Sequence, residues 1–248
     1  MAKILIPIPN TDFDPTETAV PWKILRSAGH TLVFATPDGG PGSADPRMVT
    51  GKGLGILSPF LSADTNGRKD YRELEGNHEF QHPIAYGEID TEGFQALVLP
   101  GGHAPGMKPY LESKLLQEKV VEFFHQAKPV GAICHGVLVA ARSCASPGRS
   151  VLFGKKTTAL LKRMELGAWA LTCAWLKSYY RTYPKTVEDE VKEALASPED
   201  FVKGPTGVTR DSPRNLAAGF TVLDGQYLSA RWPGDAHRFG SELARLLT

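Results

Sequence analysis

The chain has 248 residues, with 42% apolar and 22% charged side chains and a formal net charge of +1. That balance suits one large α/β domain or two small ones with a sizeable core, and it gives no field that would favour nucleic acid or an anionic membrane. Cys134, Cys144 and Cys173 are an odd number without Cys-x-x-Cys spacing, which argues against a disulfide framework or a structural zinc site.

In chain order, "MAKILIPIPN" has one lysine and too short an apolar run for a secretory leader,. No stretch approaches the roughly 18 apolar residues of a membrane span. The expected location is a reducing cytoplasm. "KILIPI" reads as a buried strand, residues 16–28 as a helix stopped by Gly29, and "HTLVFATP" as a second strand,. Strand, helix and strand with short joints make a βαβ unit and so a parallel sheet. Residues 38–88 are rich in Gly and Pro and then polar, with a short helix expected near residues 70–75. They lack the apolar residues for a core of their own and read as an insertion over the sheet. "GKGLG" (residues 51–55) has neither the lysine-hydroxyl ending of a phosphate loop nor a strand before it,.

The α/β pattern returns with "FQALVLPGGHAP", a strand and a glycine turn, and "SKLLQEKVVEFFHQA", an amphipathic helix,. "PVGAICHGVLVAA" is a strand, a corner and an apolar helix. "GKKTTAL" is a candidate strand, "GAWALTCAWLKSYYRTYP" an apolar helix stopped by Pro184, and "TVEDEVKEALA" a helix with acids in its first turn,. "FTVLDGQYLSAR" is a hairpin turning at Asp224-Gly225, and "DAHRFGSELARLLT" a closing helix,. The expected architecture is a single domain over residues 1–248, a doubly wound α/β fold with a mostly parallel, flavodoxin-like sheet. Insertions are expected at about 39–90 and 168–215.

Cys134 stands where catalytic groups gather in such sheets, between the end of a strand and the start of a helix. Gly131, Ala132 and Gly136 are small enough for a nucleophile elbow. Backbone N–H groups at the helix start would favour a thiolate and hold a developing oxyanion. The competing reading is a small buried hydrophobe, and that reading is assigned to Cys144 and Cys173. Gly101-Gly102 lets backbone N–H groups approach a ligand closely, although taken alone the turn reads as a simple chain reversal. Tyr179, Tyr180 and Tyr183 with Trp175 form an aromatic group read as core packing or a dimer interface.

"LVLPGGHAP", then "PVGAICHG" about thirty residues on, together with "DPTETAVPW" and "GQYLSARWPGDAHRF", resemble the ThiJ/PfpI superfamily of the class I glutamine amidotransferase-like fold. The resemblance implies a nucleophilic Cys134, a carboxyl at Glu17 sharing a proton with it, and an oxyanion hole at the N–H groups of Gly102 and His135. The Cys-His pair resembles the branch of the heat-shock chaperone and the cofactor-independent glyoxalase. That branch implies a triad of Cys134, His135 and an acid about thirty residues on, for which Glu165 stands at the right distance. A salt-bridged surface Glu165 is the other reading. His237 is followed by Arg238 rather than by the His-x-Glu pair of true glutamine amidotransferases, and His78-Glu79 lies upstream of the cysteine. Glutaminase activity is therefore not expected.

What these residues imply is conversion of small reactive aldehydes such as methylglyoxal, with no metal or other cofactor. The alternatives are an amide or peptide hydrolase using the same cysteine, and a stress-response holdase or redox sensor. The expected partner is a small aldehyde or acyl substrate, and a homodimer is common among similar proteins.

Overall fold

A computed structural model describes residues 1–248. Its centre is a seven-stranded sheet of β1 (Lys3–Pro7), β2 (Thr31–Thr36), β3 (Ile84–Ala85), β4 (Ala96–Leu99), β5 (Val130–Ile133), β6 (Thr221–Asp224) and β7 (Tyr227–Ala230). The spatial order is β6-β7-β5-β4-β1-β2-β3, and every pairing is parallel except the β6-β7 hairpin. The inner strands are near-continuous apolar runs buried on both faces, as "KILIP" and "ALVL" show,. This is the doubly wound flavodoxin-like architecture expected. The chain reverses its direction of travel across the sheet between β1 and β4, the topological switch at which such folds place ligands.

Seven helices of seven or more residues cover the sheet: α1 (Pro15–Ser27), α2 (Thr65–Glu75), α3 (Lys114–His125), α4 (Gly136–Arg142), α5 (Lys162–Leu176), α6 (Val187–Ala194) and α7 (Ala236–Leu246). Helix α1 packs between α2 and α7, whereas α4 packs against α3 and α6. Asp14 sets the start of α1 by accepting the N–H groups of Thr16 (2.8 Å) and Glu17 (3.0 Å), with Pro15 at the first helical position,. The helix then buries Val20, Trp22 and Leu25, and each such side chain contributes about 1.5–3 kcal/mol when taken from water.

Several elements differ from expectation. The segment at 39–90 does more than lie over the sheet: Ile84 and Ala85 pair with Ala35 and Thr36 as an edge strand, and α2 begins at Thr65. Asp64 caps that helix through the Gly67 N–H, a start signal that composition alone obscures. "GKKTTAL" forms only one bridge, between Thr157 and Phe201. The place beside β7 is already taken by its hairpin partner, so Thr158 instead donates its N–H to Ser229 Oγ at 3.0 Å. The apolar helix of this region starts at Lys162 and ends at Leu176, not at Pro184. Lys177, at φ 53°, turns the chain left-handed there and releases the tyrosines into a turn,. Cys144 is exposed and Cys173 half-buried, so neither is the buried hydrophobe expected. No helix is long and apolar enough to cross a membrane.

Candidate active site

Cys134 leaves β5 at φ 57°, a left-handed conformation rare for a residue with a side chain,. The strain is held from both sides. Its N–H donates to the Ala230 carbonyl of β7 at 3.0 Å, and the next N–H groups turn back at once, Val137 to the Cys134 carbonyl and Leu138 to that of His135. The corner closes only because Gly136 lacks a side chain: a Cβ there would lie 2.5 Å from the Pro100 carbonyl oxygen and closer still to that of Leu99. The strained cysteine thus faces the glycine turn after β4, which holds its own position through Asp14 N–H donating to the Gly101 carbonyl at 2.9 Å.

Three buried groups meet at this corner. Glu17, one turn into α1, is fully buried and both its carboxyl oxygens lack a hydrogen-bond partner. Burial, with the Asp14 carboxyl beside it, raises its pKa well above the carboxylate range; the Cys134 thiol and the Gly101 N–H oppose this without prevailing,. Burial therefore favours the neutral form of the Glu17 carboxyl,. Burial and the Glu17 carboxyl likewise push the Cys134 thiol well above its ordinary value. This burial works against the thiolate that the helix-start N–H groups favour, of which one, from His135, lies against the sulfur,.

His135 is fully buried, with Nδ1 3.5 Å from Cys134 Sγ and Nε2 3.2 Å from Thr182 Oγ1. The Thr182 hydroxyl has one proton and donates it to the His103 carbonyl at 2.6 Å,. Its oxygen must then accept from Nε2–H, which leaves the Nδ1 lone pair facing the thiol. Burial, with His103 and Arg142 adding positive charge nearby, lowers the His135 pKa to about 3 and keeps the ring neutral.

Glu165 does not reach this histidine. It lines the same cleft, but its carboxyl accepts from Val187 N–H at 2.9 Å and pairs with Arg181 at 3.2 Å. Burial raises it to about 7 against those two partners. The place expected for Glu165 beside the imidazole is filled by Thr182, because the turn after α5 brings that hydroxyl between His135 and His103. The N–H groups of Gly102 and His135 donate to no backbone carbonyl, and that of His135 lies against the Cys134 sulfur. His103 stacks on Tyr180 at 4.3 Å between ring centroids. Tyr180 therefore belongs to the wall of the site, with Tyr179 edge-on to His103 behind it, and Trp175 lies at the surface, its indole N–H on the Gly53 carbonyl.

Above the corner opens a cleft of about 830 Å³ whose walls come from residues 48–61, 160–171 and 206–210 and from Trp232-Pro233. Cys134, Glu17, Gly102 and His103 form its floor. Nothing in the sequence marks Thr182 or His103 as a pair, whereas Asp14 is legible in "DPTE" as a helix cap. No group of three His, Cys, Asp or Glu side chains is placed to hold a metal ion.

A strained cysteine after a parallel strand, facing a glycine turn and a buried helix-borne glutamate, is the arrangement that the resemblance implied. The family model described as ThiJ/PfpI family-like matches residues 8–205. The chain belongs to the ThiJ/PfpI family. It is similar to a Thermococcus kodakarensis protein named deglycase TK1284, 30% identical over 71% of this chain and 76% of that one. It also resembles the Arabidopsis thaliana protein named DJ-1 homolog D, 32% identical over 54% of this chain and only 30% of that longer relative. In fold it matches the crystal structure of glyoxalase III from Candida albicans, with a TM-score of 0.68, 18% identity, and 98% and 96% of the two chains covered.

Proposed function

We propose that this ThiJ/PfpI protein is an enzyme acting on reactive carbonyls, and that it converts small 2-oxo aldehydes such as methylglyoxal to hydroxy acids through Cys134, without glutathione. The observation that carries the reading is the trio at the elbow: a cysteine, an imidazole with its lone pair toward the sulfur, and a buried carboxyl whose two oxygens have no hydrogen-bond partner. Relatives named deglycase and a fold neighbour named glyoxalase III support the substrate class.

Attack begins with Cys134 S–H adding across the aldehyde. A C–S bond forms, the thiol proton passes to His135 Nδ1, and the carbonyl oxygen becomes an oxyanion facing the N–H groups of Gly102 and His135. Glu17 protonates that oxygen, and His135 returns its proton to the carboxylate, leaving a neutral hemithioacetal and a neutral site. His135 then takes the C1 proton while Glu17 protonates the C2 oxygen, giving an enediol. The imidazolium returns its proton to C2 as the Glu17 carboxylate takes the C1 hydroxyl proton, which leaves a 2-hydroxy thioester and a neutral site. Water releases the hydroxy acid and restores the thiol. Neutral partners suit this sequence, since no step leaves a lone charge in a dry site.

The test is lactate formation from methylglyoxal in the absence of glutathione, comparing wild type with Cys134→Ala. Loss of turnover in the variant is expected, and turnover that survives it overturns the mechanism. An acyl hydrolase would use the same trio and differ only in substrate. An aggregation assay separates a holdase, whose suppression of unfolded chains would not need Cys134.

A further inference from the structure

The floor of the cleft accounts for the reaction but not for the shape and charge of the volume above it. That volume far exceeds what methylglyoxal fills, and Phe60, Met164, Leu171, Val208 and Trp232 give it an apolar wall. Within this wall stands Arg210. Its Nη2 donates to the carbonyls of Phe60 (3.2 Å) and Ser62 (3.0 Å), and its guanidinium lies 5.2 Å from the Trp232 ring. These contacts fix the fork. Nη1 is then buried with no hydrogen-bond partner, and no carboxylate comes within 4.0 Å of the guanidinium.

An unsatisfied charged donor in an apolar wall is costly unless a ligand completes it. The acids of the cleft do not. Glu17 makes no ion pair with it, Glu165 is held by Arg181 and Val187, and Asp14 spends one oxygen on the first turn of α1. Asp14 feels the Arg210 charge, yet at a separation beyond an ion pair. Arg163, the second cation of the wall, donates to the Pro205 carbonyl and has no acidic partner either.

We propose that this wall is a carboxylate subsite: Arg210 Nη1, supported by the charge of Arg163, receives an anionic group at the end of an apolar arm, while the aldehyde end of the same molecule lies at Cys134. The favoured substrates are thus 2-oxo aldehydes with an apolar chain ending in a carboxylate, rather than methylglyoxal itself. This rests on the carbonyl reading above only for the reacting end; the carboxylate subsite stands on the wall.

The experiment compares two probes of one shape, 4-phenylbutyrate and the neutral 4-phenylbutyramide, binding to the full chain by calorimetry. One charge-assisted contact corresponds to a preference on the order of tenfold for the carboxylate in wild type. In Arg210→Met that preference falls to parity, with amide affinity unchanged. Should Arg210→Met fail to fold, Arg210→Gln keeps amide donors for the Phe60 and Ser62 carbonyls, and the same loss is expected. Equal affinities in wild type, no binding of either probe, or a preference that survives loss of the guanidinium each overturn the proposal. No turnover is involved, so a protein inert toward methylglyoxal still decides the question.

Discussion

The floor and the wall of the cleft are built by opposite rules. Glu17 and His135 are fully buried and Cys134 is 4% exposed, whereas Phe60, Val208 and Leu171 in the wall are 73%, 66% and 58% exposed. The floor groups sit at the ends of β4 and β5 and in the first turn of α1, so the same packing that holds the sheet together fixes their positions. The wall is carried by segments outside the sheet and by Trp232-Pro233, which follow β7. Substitutions in the floor therefore disturb chemistry and fold together, and those in the wall can alter what binds without touching either. That division lets one scaffold hold a constant reaction while its specificity changes.

The largest effect that sharpens this contrast is expected from Glu17→Gln. The amide has the shape of the neutral carboxyl but cannot give its proton to the oxyanion and take one back. General acid-base assistance is worth on the order of 10²–10⁴ in rate, so kcat should fall by at least a hundredfold with the fold intact by circular dichroism. A Glu17→Gln protein with wild-type kcat on methylglyoxal would remove the carboxyl from the mechanism.

The floor was legible in the sequence because each of its parts is local. Apolar runs four to six residues long, the Gly101-Gly102 turn and the Cys134-His135 corner flanked by glycines are set by neighbours along the chain. Glu17 needed the family resemblance, since its fourth place from Asp14's cap equally suits an exposed acid at a helix start. The contacts made from distant parts of the chain were not legible. Thr182 reaches His135 from 47 residues away, out of a turn whose position depends on where α5 stops. Lys177 stops it at a left-handed residue that no propensity anticipates. Glu165 had the right distance along the chain, but a helix carries one side chain to the imidazole and its neighbour to Arg181, and sequence spacing does not say which. For the thiol, the helix-start N–H groups were visible in sequence, and the depth of burial that works against them was not.

Thr182 and Glu165 give the next test, because Thr182 holds the place beside the imidazole expected of Glu165. Thr182→Val strips Nε2–H of its buried acceptor and the His103 carbonyl of its donor, a loss of about 1–3 kcal/mol in stability. The imidazole is then free to turn away from the sulfur, and kcat should fall roughly tenfold. Thr182→Ser should restore both, which a purely packing role of the threonine methyl would not allow. Glu165→Gln should leave kcat within about threefold of wild type and shift only stability, through Arg181, on the scale of a partly buried ion pair. If kcat instead drops as far in Glu165→Gln as in Thr182→Val, the acid does reach the histidine in the working enzyme.

The smallest effect concerns Asp14, where floor and helix meet. Burial raises its pKa from 3.8 to about 6, against the pull of the Glu17 N–H and of Arg210. The folded chain therefore holds this proton more tightly than the unfolded chain does. Below about pH 4 both states carry it and its contribution to stability is fully present; between about 4 and 6 unfolding releases it; above about 6 the contribution is gone. Raising the pH through that window should thus cost stability, at most about 3 kcal/mol from this group. Asp14→Asn still accepts the N–H groups of Thr16 and Glu17, so the cap survives while the titration disappears. Urea midpoints at pH 4.5 and 6.5 should then differ less in the variant than in wild type. Equal differences in the two proteins would mean that Asp14 is solvated in the cleft, and with it that the floor is wetter than its burial implies. In that case the trio would lose the dry surroundings that favour its neutral carboxyl and thiol.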